Sequence, residues 1–280
     1  MTPFEELLSQ YTIITEDDLI NATRELMQEY ALAGLFRGGF FEKAAFYGGT
    51  CLRIFHQLDR FSEDMDFSLL ESNKAFSLTP YFKSIVNEFE SVGLDVEISQ
   101  KDKKSNTQVE SAFLKQTTTF YNIALKTNRK VKIKFEVDTN PPKKFYTESN
   151  LLIKPFSFYV RTYRLENLFA GKMHALLFRK WKNRVKGRDW FDFEWYVKKG
   201  VKLNLEHFSQ RALQSGHIAP PHLSKDEFLR LLKSRIENLD VEMARRDMIP
   251  FTSNHKKLEI WSNTYFLELV RHIRFELPER

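Results

Sequence analysis

The sequence predicts an α+β domain followed by a helical one. Three observations carry this: strand-period and helix-period segments alternate over the first half, apolar spacing turns helical after about residue 160, and no internal repeat or low-complexity tract intervenes. The expected division is therefore residues 1–160, α+β, and 161–280, helical.

The elements follow in order. Residues 16–34 carry Leu19, Ala22, Leu26, Tyr30 and Ala33 at helical spacing after an acidic first turn, with Gly34 as the expected stop. "KAAFYGG" reads as a short strand ended by glycines, "TCLRIFHQL" as a short helix from Thr50 with Leu52, Phe55 and Leu58 inward, and "DMDFSLL" as a strand. A helix with Phe82, Ile85, Val86 and Phe89 on one face stops near Gly93. "LDVEISQ", "TFYNIALKT" and "VKIKFEVDTN" alternate as strands, the last two joined by a hairpin bend at Asn128-Arg129-Lys130, and Pro141-Pro142 ends the third. "RLENLFAGKMHALLFRKW" and "RDWFDFEWYVKK" are helical, and Ser224 with Glu227 makes a capping box for "KDEFLRLLKSRIENL".

Composition narrows the function. At 280 residues, 42% hydrophobic and with 26 phenylalanines, the chain can bury a real core. No run approaches the roughly 20 apolar residues of a membrane span, and the N-terminus lacks a signal-peptide layout, so the cytoplasm is expected, with no membrane partner. A single Cys51 excludes an internal disulfide and a multi-cysteine zinc site, and the seven histidines show no ligand spacing. Any metal would be held by oxygens. The net charge of +6 favours a polyanion without requiring one.

Candidate chemistry starts at "YGGTCLRIFHQLDRFSEDMDFSLL". On a strand, Asp64 and Asp66 share one face while Met65, Phe67 and Leu69 take the other. Two such carboxylates repel, and a hard divalent cation is their simplest partner; the bland reading is an exposed acidic strand edge. A calcium loop from Asp64 fails at Leu69 and Ala75. A glycosyltransferase Asp-x-Asp does not call for the upstream glycines, and a glycosidase pair should stand about 5 to 9.5 Å apart across a scissile bond. Gly48, Gly49 and Thr50 form a strand-to-helix turn that could meet phosphate through backbone N–H groups and the helix dipole. Joined to Asp-x-Asp by one short helix, that turn points to a nucleoside triphosphate. Two-metal phosphoryl chemistry usually wants a third carboxylate. Glu136 supplies it, with Asp138 in reserve, on the face of "VKIKFEVDTN" that also carries Lys132 and Lys134.

Two further features lie beyond residue 160. Lys172 falls within the stripe of Leu165, Leu168, Phe169 and Leu176, so its ammonium either snorkels or pairs with an acid, or points into a cleft to hold triphosphate. Arg179, Lys180, Lys182, Arg184, Lys186 and Arg188, with Trp181 among them, could follow a nucleic-acid backbone or form a solvated basic loop. Asp189 either caps the following helix or, with Asp192, serves the site.

Taken together these segments resemble the AbiEii/AbiGii family of nucleotidyltransferase toxins, within the DNA polymerase β-like nucleotidyltransferase superfamily. The matching motifs are Gly48-Gly49-Thr50 with Asp64-Met65-Asp66, Lys134-Phe135-Glu136, Lys172 in "LENLFAGKMHALLFRK", and Arg188-Asp189-Trp190-Phe191-Asp192. The resemblance spans roughly residues 40–200 and leaves 201–280 as a variable helical region. It implies a polymerase β-like domain with a mixed sheet that transfers a nucleoside monophosphate from an NTP to an RNA acceptor, the tRNA 3' end, and so blocks translation. Asp64, Asp66 and Glu136 would hold Mg²⁺ or Mn²⁺; Gly48, Gly49, Thr50, Lys134 and Lys172 would meet the nucleotide; Asp189 would join the catalytic set. Lys182, Arg184, Lys186 and Arg188 would meet RNA, and a cognate antitoxin need not form a stable complex. The competing expectations are an antibiotic-type, small-molecule nucleotidyltransferase and an NTP-binding module without transfer.

Overall fold

The computed structural model describes residues 2–100, 118–125, 131–179, 184–219, 222–252 and 254–276. These form two compact units: unit 1 comprises Met1–Gln57, Phe61–Pro141 and Thr147–Thr162, and unit 2 comprises Leu58–Arg60, Pro142–Tyr146 and Tyr163–Arg280. The expected bend at 128–130 lies outside the described residues.

Unit 1 is built on a seven-stranded mixed sheet. Its strands are β1 (Ala44–Tyr47), β2 (Asp64–Leu69), β3 (Val96–Gln100), β4 (Thr118–Leu125), β5 (Lys132–Asp138), β6 (Thr147–Leu152) and β7 (Phe158–Tyr163), in the order β3-β4-β5-β2-β1-β7-β6. β2 pairs antiparallel with β1 and parallel with β5. β1 also pairs parallel with β7. Met65 and Phe67 of β2 and Ile133, Phe135 and Val137 of β5 are all fully buried, which fixes the register of the central pair because a slip of one residue would turn each apolar side chain to the other face. Phe67 and Phe135 stack across that pair at 5.8 Å with 15° between rings, and Phe40 and Phe46 each meet Phe67 at 5.1 Å. The phenylalanine-rich composition thus builds one aromatic seam.

The long helix Glu16–Arg37 starts at a capping box of Thr15 and Asp18 and buries Leu26, Tyr30, Ala31 and Leu35 among others. It does not stop at Gly34. The helix runs one further turn, because Gly34 is a contact point: a Cβ there would lie 2.5 Å from the Ile85 Cα on the helix Phe82–Glu90. Gly93, with φ +77°, follows that second helix in the left-handed region expected of a glycine stop.

Unit 2 is mainly helical, with Leu165–Phe178, Gly187–Lys198, Leu205–Gln214, Lys225–Glu237, Val241–Met248 and Asn263–Arg271. Ser224 and Glu227 form the expected capping box. The expectation of helices alone after residue 160 is corrected at two places: β7 continues to Tyr163, and β8 (Lys202–Leu203) pairs parallel with β9 (Arg274–Phe275). Phe169 stacks on Tyr196 at 4.4 Å, tying the first two helices together. Buried Glu194 accepts hydrogen bonds from Trp261 Nε1 and Tyr265 Oη, each at 2.7 Å, which fastens the C-terminal segment to the second helix. Among the described residues no helix is long and apolar enough to cross a membrane.

Candidate active site

In unit 1 the parallel register of β2 and β5 sets Asp64 opposite Lys134 and Asp66 opposite Glu136. Partners in a ladder project from the same face, so the three carboxylates and the lysine share the face opposite the Phe67–Phe135 stack. Lys134 is ion-paired with Glu136. Burial works against its charge, but that hydrogen bond and the fields of Glu136, Asp64 and Asp66 raise its pKa above the ordinary lysine value.

The glycine turn belongs to the same face. The helix Gly48–His56 starts two residues earlier than Thr50, so Gly48, Gly49 and Thr50 form its first turn, where N–H groups lack intrahelical partners. Gly48 has φ +84°, and a Cβ there would overlap the Asp66 carboxylate. A glycine is needed on both counts, and the carboxylate of Asp66 is held against the start of this helix. The Thr50 side chain is occupied. It is fully buried, and its hydroxyl donates to the Asp64 carbonyl, so the side chain fixes the start of β2 and only its backbone N–H is left for an anion.

The carboxylates of this face are oxygen donors, a chemistry that fits a hard divalent cation. Among the described residues, however, no three acidic, histidine or cysteine side chains are gathered closely enough to form a metal cluster. Glu136 is instead held by Lys134.

The remaining predicted residues lie in unit 2. Lys172 Nζ lies 2.8 Å from Asp189 Oδ1 and 2.8 Å from Asp192 Oδ2, so it pairs with acids, as its place in an apolar stripe allowed. Asp192 is also gripped by Arg60, whose Nε and Nη2 donate at 2.6 and 2.7 Å, and both side chains are buried. Burial would raise the Asp189 pKa, but Lys172, Arg179 and Lys186 hold it down at about 2. Asp189 lies in the first turn of its helix but makes no side-chain capping bond there. Asp247 accepts from the Gly187 N–H at 2.9 Å and pairs with Arg184 at 2.7 Å. Arg60 and Asp247 escaped the sequence reading. Arg60 stands between apolar Leu58 and Phe61, a signal that was available, whereas Asp247 is 60 residues from its partner and gave none.

The basic segment has partners within unit 2: Arg184 pairs with Asp247 while staying exposed, and the Arg188 guanidinium lies 3.9 Å over the Phe251 ring. Lys186 is half-buried, and burial together with the nearby charges of Arg179, Arg188 and Lys172 lowers its pKa to about 8. Lys182, with Lys180 and Trp181, lies outside the described residues.

A family profile described as nucleotidyl transferase AbiEii toxin, type IV toxin–antitoxin system, matches residues 30–269. The chain belongs to the AbiEii family. It is a nucleotidyltransferase, and its mixed sheet with flanking helices is the polymerase β-like fold of such enzymes. Among solved structures, MenT4, a nucleotidyltransferase toxin from Mycobacterium tuberculosis, is similar over 98% of this chain and 99% of its own, with TM-score 0.51 and 13% identity. A candidate nucleotidyltransferase from Helicobacter pylori is similar over 92% of each chain, with TM-score 0.48 and 17% identity. JHP933, also from Helicobacter pylori, covers 93% of this chain and 90% of its own, with TM-score 0.47 and 18% identity. No curated protein matches. At such identities the MenT4 likeness shows a shared fold, while membership of the AbiEii family rests on the profile.

Proposed function

We propose that this AbiEii-family enzyme transfers a nucleoside monophosphate from an NTP to the 3' end of tRNA, in a metal-dependent reaction that blocks translation. The observation that carries the reading is the β2–β5 register, which collects Asp64, Asp66 and Glu136 on one face beside the helix start at Gly48. Asp64 and Asp66 are assigned to Mg²⁺ or Mn²⁺, with Glu136 as the third carboxylate once it leaves Lys134. A divalent cation in this setting neutralises charge on the reacting phosphoryl group. The backbone N–H groups of Gly48, Gly49 and Thr50, together with Lys134, are assigned to the phosphates; in unit 2, Lys172 is assigned a nucleotide-binding role of its own, with Asp189 holding it in place. The acceptor hydroxyl forms its bond to the α-phosphorus as the bond to the β-phosphate bridging oxygen breaks. Pyrophosphate leaves, and the hydroxyl proton passes to a carboxylate of this face.

The test is incubation with total tRNA and each α-labelled NTP, with and without Mg²⁺ or Mn²⁺, beside Asp64→Ala. The carbonyl of Asp64, not its carboxylate, holds Thr50, so this substitution spares that local contact. Metal-dependent labelling by the unsubstituted enzyme alone is expected; labelling that persists in Asp64→Ala overturns the site. Unlabelled tRNA beside an NTP-labelled small acceptor would move the enzyme to the antibiotic-type class, and NTP binding with no labelled product of either kind would leave a binding module. As a member of a toxin–antitoxin family it is expected to have a cognate antitoxin, and co-expression without co-purification would show neutralisation without a stable complex.

A further inference from the structure

Unit 2 carries a second basic surface besides the segment of Arg184 and Arg188. An open cleft of about 510 Å³ in unit 2 has Lys198, Arg271, His272 and Arg274 around it and buried Leu269 and Ile273 beneath. Two of these cations have local partners: Lys198 pairs with Glu194, and Arg271 with Glu268 at 3.0 Å. Helix ends collect such side chains for their own reasons.

Arg274 does not have that explanation. It lies on β9, and its ladder partner on parallel β8 is Lys202, so two exposed cations project side by side from one face. Like charges placed in register across a ladder are destabilising. Among the described residues neither has an acidic partner. Exposed Lys199 and His272 add to the same end of the unit, one just before β8 and one just before β9.

We infer that this cleft and the Lys202–Arg274 pair form a docking surface for the sugar-phosphate backbone of the RNA acceptor. Phosphates spaced along a strand relieve the cation pair and release condensed counterions, a pull toward polyanions that discrete charges do not exert on a neutral partner. The cleft's openness to solvent suits a backbone passing over it rather than a small molecule enclosed by it. The inference rests on RNA being the acceptor.

The test is fluorescence anisotropy with labelled tRNA over a salt series, comparing the full chain with Lys202→Glu/Arg274→Glu. A control, Lys43→Glu/Lys83→Glu, makes the same change in net charge at two exposed lysines of unit 1. The cleft variant is expected to lose about tenfold or more in affinity and to flatten the log–log salt slope by about two. Its NTP affinity should stay unchanged, which shows that the fold is retained, and the control should remain within about twofold of the parent. Equal losses in both variants, or none in the cleft variant, overturn the surface. Equal weakening on anionic vesicles but not on tRNA would assign it to a membrane and also overturn it. The two readings fail separately: if the unsubstituted enzyme labels no RNA, the acceptor assignment falls, whereas if it labels tRNA and the cleft variant labels equally well at limiting tRNA, only the surface falls.

Discussion

Arg60, Asp192, Lys172 and Asp189 form a buried set of two cations and two anions, each satisfied by the next. Removing one member leaves a buried charge uncompensated, which costs about 3 to 5 kcal/mol. Arg60→Met is therefore expected to lower the thermal midpoint of unit 2 sharply, and Arg60→Met/Asp192→Asn to recover part of the loss; additive losses in the double variant would refute this charge balance. Gly48 sets a different constraint. Gly48→Ala adds a methyl group where the Asp66 carboxylate lies and forces a left-handed backbone on a residue that disfavours it. Nucleotide transfer should fall at least tenfold while circular dichroism stays that of the parent, and unchanged transfer would remove Gly48 from the site. Asp64, Asp66 and Glu136 could be named from alternation alone, since residues two apart share a strand face. Their neighbourhood could not, because the β2–β5 pairing joins segments about 70 residues apart.

Local rules sufficed for elements whose ends are made by nearby residues. The Ser224–Glu227 box is an example: it closes within four residues, and Ser224→Ala should cost about 1 kcal/mol, measurable as a shift in the urea midpoint. Gly34 is the opposite case. It looks like a stop, yet its contact is Ile85 on another helix, so Gly34→Val should destabilise unit 1 well beyond the roughly 1 kcal/mol of a propensity change and push the two helices apart. A melting temperature at or above the parent's would show that the contact yields freely. β6 escaped notice because it opens with the polar run "TESN" and faces solvent along most of its length. β7 does alternate, with Phe158, Val160 and Thr162 buried, but Pro155 just before it and the helix just after it obscured the pattern.

The two units titrate in opposite directions. In unit 2, burial first and then Arg211 lower the pKa of His207 to about 3, and burial with Arg211, His217, Arg179 and His207 holds His174 well below the ordinary value. Both stay neutral in the folded unit, while the unfolded chain takes up protons below its ordinary histidine value of 6.5. Their contribution is intact above that pH and is lost as pH falls below it, for His207 from 6.5 towards 3 by up to about 1.4 kcal/mol per pH unit. In unit 1, burial and the charge of Glu25 raise Glu29 to about 8, so its contribution is complete below the ordinary 4.5 and is lost as pH rises towards 8. Hydrogen exchange followed between pH 5.5 and 8 should show unit 2 gaining protection and unit 1 losing it; parallel trends would contradict this assignment.

The sequence by itself determined the fold class, most of the helices and strands, and the residue types of the candidate site's acidic face, because each of these follows from spacing along one segment. It also carried the family, through four motifs in a fixed order. Only the tertiary structure decided what those residues touch. It turned the Thr50 hydroxyl inward to the Asp64 carbonyl, gave Lys172 two carboxylates and Asp192 an arginine, and engaged Arg184 and Arg188 within unit 2. The reason is physical: periodicity assigns a side chain to a face, but partnership in a buried site depends on which distant segment packs there and on the charge that segment brings.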